Sequence, residues 1–186
     1  HSDFRVNTDP LPYYPKVTIV VPAHNEDVVI AQTAKAILDM NYPHDRVELL
    51  LFADNCSDRT YEECLAVKAL PEYAGRDLTI INRSGTGGKA GVLNDALAMA
   101  TGDYICVYDA DAMPEKNALY FLVKEVLKDP ERHVASFGRN KTRNANQNFL
   151  TRCINQEIVV TQRVHHVGMW HLFKIGRIPG TNFIIQ

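Results

Sequence analysis

Two carboxylates one residue apart, Asp109 and Asp111, follow directly on the apolar run Tyr104–Tyr108. On an extended chain residues i and i+2 face the same side, so both carboxylates could meet one target. Like charges held that close repel, and burying them costs free energy unless a cation lies between them. A hard divalent ion, Mg²⁺ or Mn²⁺, would remove that cost if one or two carboxylates and a substrate's phosphate oxygens bound it. The competing reading is a solvated turn ahead of a helix that takes Pro114 near its first position.

Three further clusters carry chemistry. Asp54 closes the apolar run Val47–Ala53, where its carboxylate could accept hydrogen bonds from a base or a ribose; capping the next helix is the alternative, although Ser57, Asp58 or Thr60 suits that role as well. Ser84-Gly85-Thr86-Gly87-Gly88-Lys89 resembles two phosphate motifs. It is not a Walker loop, because Arg83 stands where the first glycine belongs and Ala90 replaces Ser/Thr. It does satisfy G-x-G-x-x-A after a strand, which keeps a nicotinamide-dependent oxidoreductase open as a rival. Lys89 near a helix N-terminus opposes the helix dipole, and a bound phosphate would reverse that sign. His165, His166 and His171 lack an acidic or Cys partner at metal spacing, so they read as a helix face meeting solvent or lipid headgroups. Trp170, with His171, Phe173 and Lys174, marks either an interfacial edge or ordinary core.

The elements that must position these groups alternate. Strands are expected at Lys16–Val21, ended by Pro22, then Val47–Ala53, Leu78–Asn82, Tyr104–Tyr108, Val134–Gly138 and the run after Gly180. Helices are expected over Asp27–Met40, Thr60–Leu70, Ala90–Ala100, Glu115–Lys128 and Asn148–Val167, with Thr60-x-x-Glu63 reading as a capping box. Continuous apolar strands between helices predict a mostly parallel sheet covered on both faces, the α/β class. Ligands in such sheets bind at the carboxyl ends of strands, where Pro22–Glu26, Asp54–Asp58, Ser84–Lys89 and Asp109–Asp111 all fall.

Length and composition set the frame. The 186 residues suit one domain, with residues 1–15 as an irregular lead-in and 16–186 as the folded unit. No apolar run reaches the roughly 18 residues of a membrane span. Cysteines 56, 64, 106 and 153 show neither metal spacing nor a disulfide framework, which favours a reducing compartment. The net charge of −2 hides an asymmetry: residues 1–130 hold 20 acidic and 12 basic side chains, residues 131–186 hold 2 and 8. The basic third, with Arg132, Arg139, Lys141 and Arg143, could face phosphates or an anionic bilayer, or simply be a solvated face. No basic-aromatic platform supports a nucleic-acid partner.

Taken together, VTIVVPAHNE (17–26), FADNCSDRT (52–60), GTGGKAGVLNDAL (85–97) and YDADAMP (108–114) resemble the donor half of family 2 glycosyltransferases. The likeness is greatest to the membrane-associated, often processive branch that includes cellulose, chitin and hyaluronan synthases. The resemblance implies a GT-A (Rossmann-like) fold, a UDP-sugar donor, a divalent metal and an inverting transfer to a glycan or lipid-linked acceptor. It implies that Pro22, Ala23, Asn25 and Glu26 line the nucleotide and that Asp54 meets uracil or ribose. Lys89, with Asn94 nearby, would approach the diphosphate. Asp109, Ala110 and Asp111 form the DxD motif, Asp111 being the metal ligand with Asp109 beside it. Gly180, Thr181 and Asn182 would frame the acceptor. The family's catalytic base is expected beyond Gln186, so the chain reads as a C-terminally truncated donor portion, inactive by itself or a plain binding module. Its parent is expected to be anchored on the cytoplasmic side of a membrane, and the fragment itself to be soluble.

Overall fold

The computed structural model of the chain describes residues 9–131, 133–138, 147–173 and 179–186, apart from the side chains of residues 163, 166 and 170. Six strands form one sheet: β1 (Val17–Ala23), β2 (Val47–Asp54), β3 (Asp77–Arg83), β4 (Tyr104–Val107), β5 (Ala135–Phe137) and β6 (Phe183–Ile185). Their spatial order is β3-β2-β1-β4-β6-β5. β3, β2, β1 and β4 run parallel, whereas β6 lies antiparallel to both β4 and β5. The helices are α1 (Ile30–Leu38), α2 (Thr60–Lys68), α3 (Gly88–Met99), α4 (Ala118–Val126), α5 (Phe149–Val160) and α6 (His166–Phe173), with a π-helical turn, Thr161–His165, joining the last two.

The alternation of the strands divides the core into two layers. Val17, Ile19 and Val21 join Ile30, Ala34 and Ile37 of α1, Cys64 and Val67 of α2, and Leu119 and Val123 of α4 in the larger cluster. Val20, Leu50 and Phe52 pack on Val92 and Ala96 of α3 in the smaller one. Both sheet faces are covered, so β2 is buried along nearly its whole length and needs apolar residues at consecutive positions. The expected α/β, mostly parallel architecture is therefore what the chain adopts.

Several boundaries depart from the sequence reading. Pro22 lies inside β1, opposite Phe52. The β1–β4 ladder stops at Val20↔Val107, so the proline's missing N–H falls where β1 has one neighbour. α1 starts at Ile30, three residues later than expected, and the Glu26 and Asp27 N–H groups ahead of it donate to Thr60 Oγ1 and Asp58 Oδ2. α4 starts at Ala118, past Pro114, because the residues before it are tied to the end of α1: Asn41 N–H donates to the Lys116 carbonyl at 2.7 Å and its side chain to Asn117 Oδ1 at 2.8 Å. The Thr60–Glu63 capping box does not form. Thr60 is the first helical residue of α2, its hydroxyl donates to Asp58 Oδ1 at 2.6 Å, and Glu63 pairs with Arg59 instead. A reciprocal capping box does occur where none was expected, between Asn148 and Thr151 at the start of α5.

Candidate functional site

The loops after β1 and β2 are locked together. Asn25 and Asn55 both take left-handed backbone, with φ of 56° and 50°, which asparagine tolerates better than other side chains. Ser57 N–H donates to Asn25 Oδ1 at 2.8 Å, Glu26 N–H to Thr60 Oγ1 at 2.8 Å, and Asp27 N–H to Asp58 Oδ2 at 3.1 Å. The Cys56 thiol donates to the Ala23 carbonyl at 3.5 Å. Burial works against the Asp58 carboxylate, but hydrogen bonds from Thr60 and from the Asp27 N–H outweigh it and hold its pKa below the usual carboxylate range. His24 Nδ1 lies 2.8 Å from the Asp54 carbonyl oxygen; since a carbonyl only accepts, that nitrogen carries the proton. Ala23, Asn25, Glu26 and Asp27 are thus held by residues 56–60.

Asp54 is buried at the tip of β2, and Arg83, at the tip of β3, reaches its Oδ1 at 2.7 Å. The Asn55 amide adds a second bond to that oxygen at 3.1 Å. Asp54 does not cap α2, which leaves its Oδ2 without a partner among the described residues. The Ser84–Gly88 turn then leads into α3, whose second residue is Lys89.

Lys89 Nζ is paired with Asp109 Oδ1 and donates to the Gly180 carbonyl at 2.6 Å. Asp109 N–H donates to Thr181 Oγ1 at 2.9 Å, and Asn182 N–H to the Val107 carbonyl at 2.7 Å. Lys89, Asp109 and the Gly180–Asn182 segment are therefore one cluster. The DxD residues are not extended: β4 ends at Val107, and the Ala112 N–H closes a turn on the Asp109 carbonyl at 3.0 Å. The alternation argued from the sequence does not apply there, and the turn is pinned instead through Ala110, whose carbonyl accepts from the Thr33 hydroxyl at 2.6 Å. Ala110 is buried, while Asp111 is exposed with no partner among the described residues. Asn94, on the second turn of α3, is likewise exposed.

No three His, Cys, Asp or Glu side chains among the described residues form a group able to hold a metal ion. A cation would take one or two carboxylates from the Asp109–Asp111 turn and fill its shell with ligand oxygens and water, a donor set that suits Mg²⁺ or Mn²⁺. The exposed Asp111 fits that use.

The sequence reading missed Arg83, Asn55, Asp58 and Thr60 as working parts of the site. Nothing in the sequence marks Arg83, which closes a strand of mixed composition, Asp77–Arg83. The basic tract Arg132, Arg139, Lys141 and Arg143, together with Lys174 and the His166 and Trp170 side chains, lies outside the described residues.

A parallel α/β sheet whose polar clusters gather at the carboxyl ends of its strands, with helices on both faces, is the architecture of nucleotide-binding domains. Residues 18–178 match the family described as Glycosyl transferase family 2, and the chain belongs to that family. It is 43% identical over 172 residues to a probable glycosyltransferase, YdaM, of Bacillus subtilis, spanning 92% of this chain and 40% of that protein. It is 36% identical over 140 residues to a beta-monoglucosyldiacylglycerol synthase of Nostoc, spanning 74% of this chain and 29% of the relative. The chain thus spans less than half the length of the curated relatives it matches. The mannosyltransferase PcManGT of Pyrobaculum calidifontis, solved with GDP-Man and Mn²⁺, superposes with a TM-score of 0.63 at 30% identity, covering 69% of this chain and 37% of that one. Glucosyl-3-phosphoglycerate synthase of Mycobacterium tuberculosis shares the fold, with a TM-score of 0.56 at 19% identity over 92% of this chain and 58% of that one. The fold is therefore GT-A.

Proposed function

We propose that this chain is the donor-binding part of a sugar transferase that takes a nucleotide-diphosphate sugar, a UDP-sugar, with a divalent cation. The observation that carries the reading is the convergence of the Lys89–Asp109 pair, the open Asp111 carboxylate and the buried Asp54 at one edge of the sheet. Asp54 would accept from the uracil or ribose, beside the wall of Pro22, Ala23, Asn25 and Glu26. Lys89, with Asn94 one turn along α3, would meet the diphosphate. Asp109 would lie near the ribose or donor sugar and share the metal with Asp111, Ala110 holding the turn between them. Gly180, Thr181 and Asn182 would border the acceptor.

In the transfer proposed for the parent protein, an acceptor hydroxyl attacks the anomeric carbon, with inversion, as the nucleoside diphosphate departs. Negative charge grows on the departing diphosphate, and fixed cations aimed at it lower the barrier. Lys89 supplies one such cation, freed by trading the Gly180 carbonyl for a phosphate oxygen. A bound Mg²⁺ or Mn²⁺ would supply the second as a Lewis acid. The acceptor is proposed to be a glycan or a lipid-linked molecule, the latter in keeping with relatives named as glucosyldiacylglycerol synthases. Association of the parent with the cytoplasmic face of a membrane remains part of that proposal; no described helix is long and apolar enough to cross one. The oxidoreductase alternative loses its footing, since residues 18–178 match a glycosyltransferase family. The binding-module alternative differs only in turnover, which donor hydrolysis would reveal.

Calorimetry of UDP and GDP with Mn²⁺ tests the reading. UDP is expected to bind more tightly than GDP, and Asp111→Ala to remove the metal-dependent part of the affinity, a tenfold or greater loss. Equal affinity in the two proteins would refute the assignment.

A further inference from the structure

The glycine-rich turn is built around an arginine. The Arg83 side chain is only 12% exposed and spends its guanidinium on three separate elements. Nη1 donates to Asp54 Oδ1 of β2 at 2.7 Å, Nε to Asp95 Oδ2 of α3 at 2.6 Å, and Nη2 to the Thr86 carbonyl of the turn at 3.0 Å. Two of the motif's glycines are shaped by this group. A Cβ on Gly85 would lie 2.6 Å from Arg83 Cζ and 2.7 Å from both Nη atoms. A Cβ on Gly91 would meet Arg83 Nη2 at 2.8 Å and collide with the Thr86 carbonyl. Asn55 closes the same socket from the other side: its N–H donates to the Arg83 carbonyl at 2.8 Å, its Nδ2 to the Gly85 carbonyl at 2.8 Å, and its Oδ1 accepts from the Gly85 N–H at 3.2 Å.

Resting on the donor-site reading above, we propose that Arg83 is the positioning residue for Asp54, and that Gly85 and Gly91 are small in order to seat it. The planar fork fixes Asp54 by its Oδ1 and leaves Oδ2 as the atom that accepts from the nucleoside. The same group ties the β2 tip to the turn that delivers Lys89, so the nucleoside and diphosphate ends of the donor are held at a set separation. A lysine cannot take this part, because a single ammonium does not span three partners in a plane.

The test compares Mn²⁺-dependent binding of UDP and of inorganic pyrophosphate. Pyrophosphate needs only the cation and Lys89, so it also reports that a variant is folded. Arg83→Ala and Arg83→Lys are each expected to weaken UDP roughly tenfold or more while leaving pyrophosphate within about twofold. Gly85→Ala, which dislodges the guanidinium without removing its charge, is expected to do the same. Arg83→Ala combined with Asp54→Asn should cost no more than the larger single loss, the signature of two residues acting as one. Equal weakening of UDP and pyrophosphate would make Arg83 a mere support of the turn and overturn the assignment, as would unchanged UDP affinity in Arg83→Ala or additive losses in the double variant. If the unaltered chain binds pyrophosphate but not UDP, the donor-site reading itself fails, and the assignment with it.

Discussion

The two edges of the sheet hold similar charged residues and put them to opposite uses. At the amino edge Lys16, Glu48, Asp77 and Asp103 each have at least one partner within the chain. Glu48 Oε2 accepts from the Thr18 hydroxyl and, at 2.9 Å, from the Thr101 N–H. The Gly102 N–H returns to Thr18 Oγ1 at 2.9 Å, Lys16 N–H donates to Asp103 at 2.9 Å, and Lys16 Nζ reaches Thr101 and Asp77. At the carboxyl edge the bonding stops short: Asp111, Asn94 and Asp54 Oδ2 have no partner among the described residues. Polar groups bonded to one another across strands fix register, while a side chain with no protein partner, as at Asp111, has capacity for a ligand.

The sharpest way to break this contrast is at Gly102. A Cβ there would lie 2.5 Å from the Thr18 N and 2.9 Å from Thr18 Oγ1, so Gly102→Ala is expected to cost about 2–3 kcal/mol in urea unfolding. Its UDP affinity, measured where the variant is still folded, should be unchanged.

Glu48→Gln comes next, at about 2 kcal/mol near neutral pH, because a buried acceptor loses its charge beside two donors. Burial raises the pKa of Glu48, but the bonds from Thr18 and Thr101 outweigh it and the carboxyl is held below its ordinary value. The stabilisation is then complete above the unfolded carboxyl's pKa and fades as the pH falls through the lower, folded one. Unfolding midpoints of the two proteins should therefore converge in acid; a constant gap at every pH would contradict the assignment.

Lys89→Met has the smallest effect on folding and its largest on binding. Lys89 and Asp109 are both about two-fifths exposed, so their pair adds little to stability, within about 0.5 kcal/mol. Mn²⁺-dependent UDP affinity should nevertheless drop roughly tenfold. A variant that unfolds as readily as Gly102→Ala would place Lys89 with the amino-edge network instead.

The sequence showed the fold where burial dictates residue type. Apolar stretches such as Leu49–Ala53 and the helical spacing of Leu119, Leu122, Val123 and Val126 left little choice of architecture, and the four polar clusters fell at one sheet edge as topology required. Local hydrogen bonding was harder to read. Thr60-x-x-Glu63 matches a capping box in composition, yet the Thr60 hydroxyl donates to Asp58, two residues before it, and accepts from the Glu26 N–H, 34 residues away in sequence. Arg83 had no signature of its own, because its three partners meet it only once β2, the glycine turn and α3 are assembled. Asp109 and Asp111 were legible as a pair, but the turn that presents them is pinned by Thr33, a residue with no motif to announce it.

One topological detail reaches further. β6 is inserted between β4 and β5, and β5 joins the sheet through β6. The bond from Lys89 to Gly180 likewise spans 91 positions. During synthesis the parallel strands β1 to β4 can pair before residues 180–185 emerge, but β5 has no docking edge until then, and long-range closures of this kind form late. A protease cut near Gly180 would release more than its own short strand: it would take from β5 its sheet partner and from Lys89 the Gly180 carbonyl.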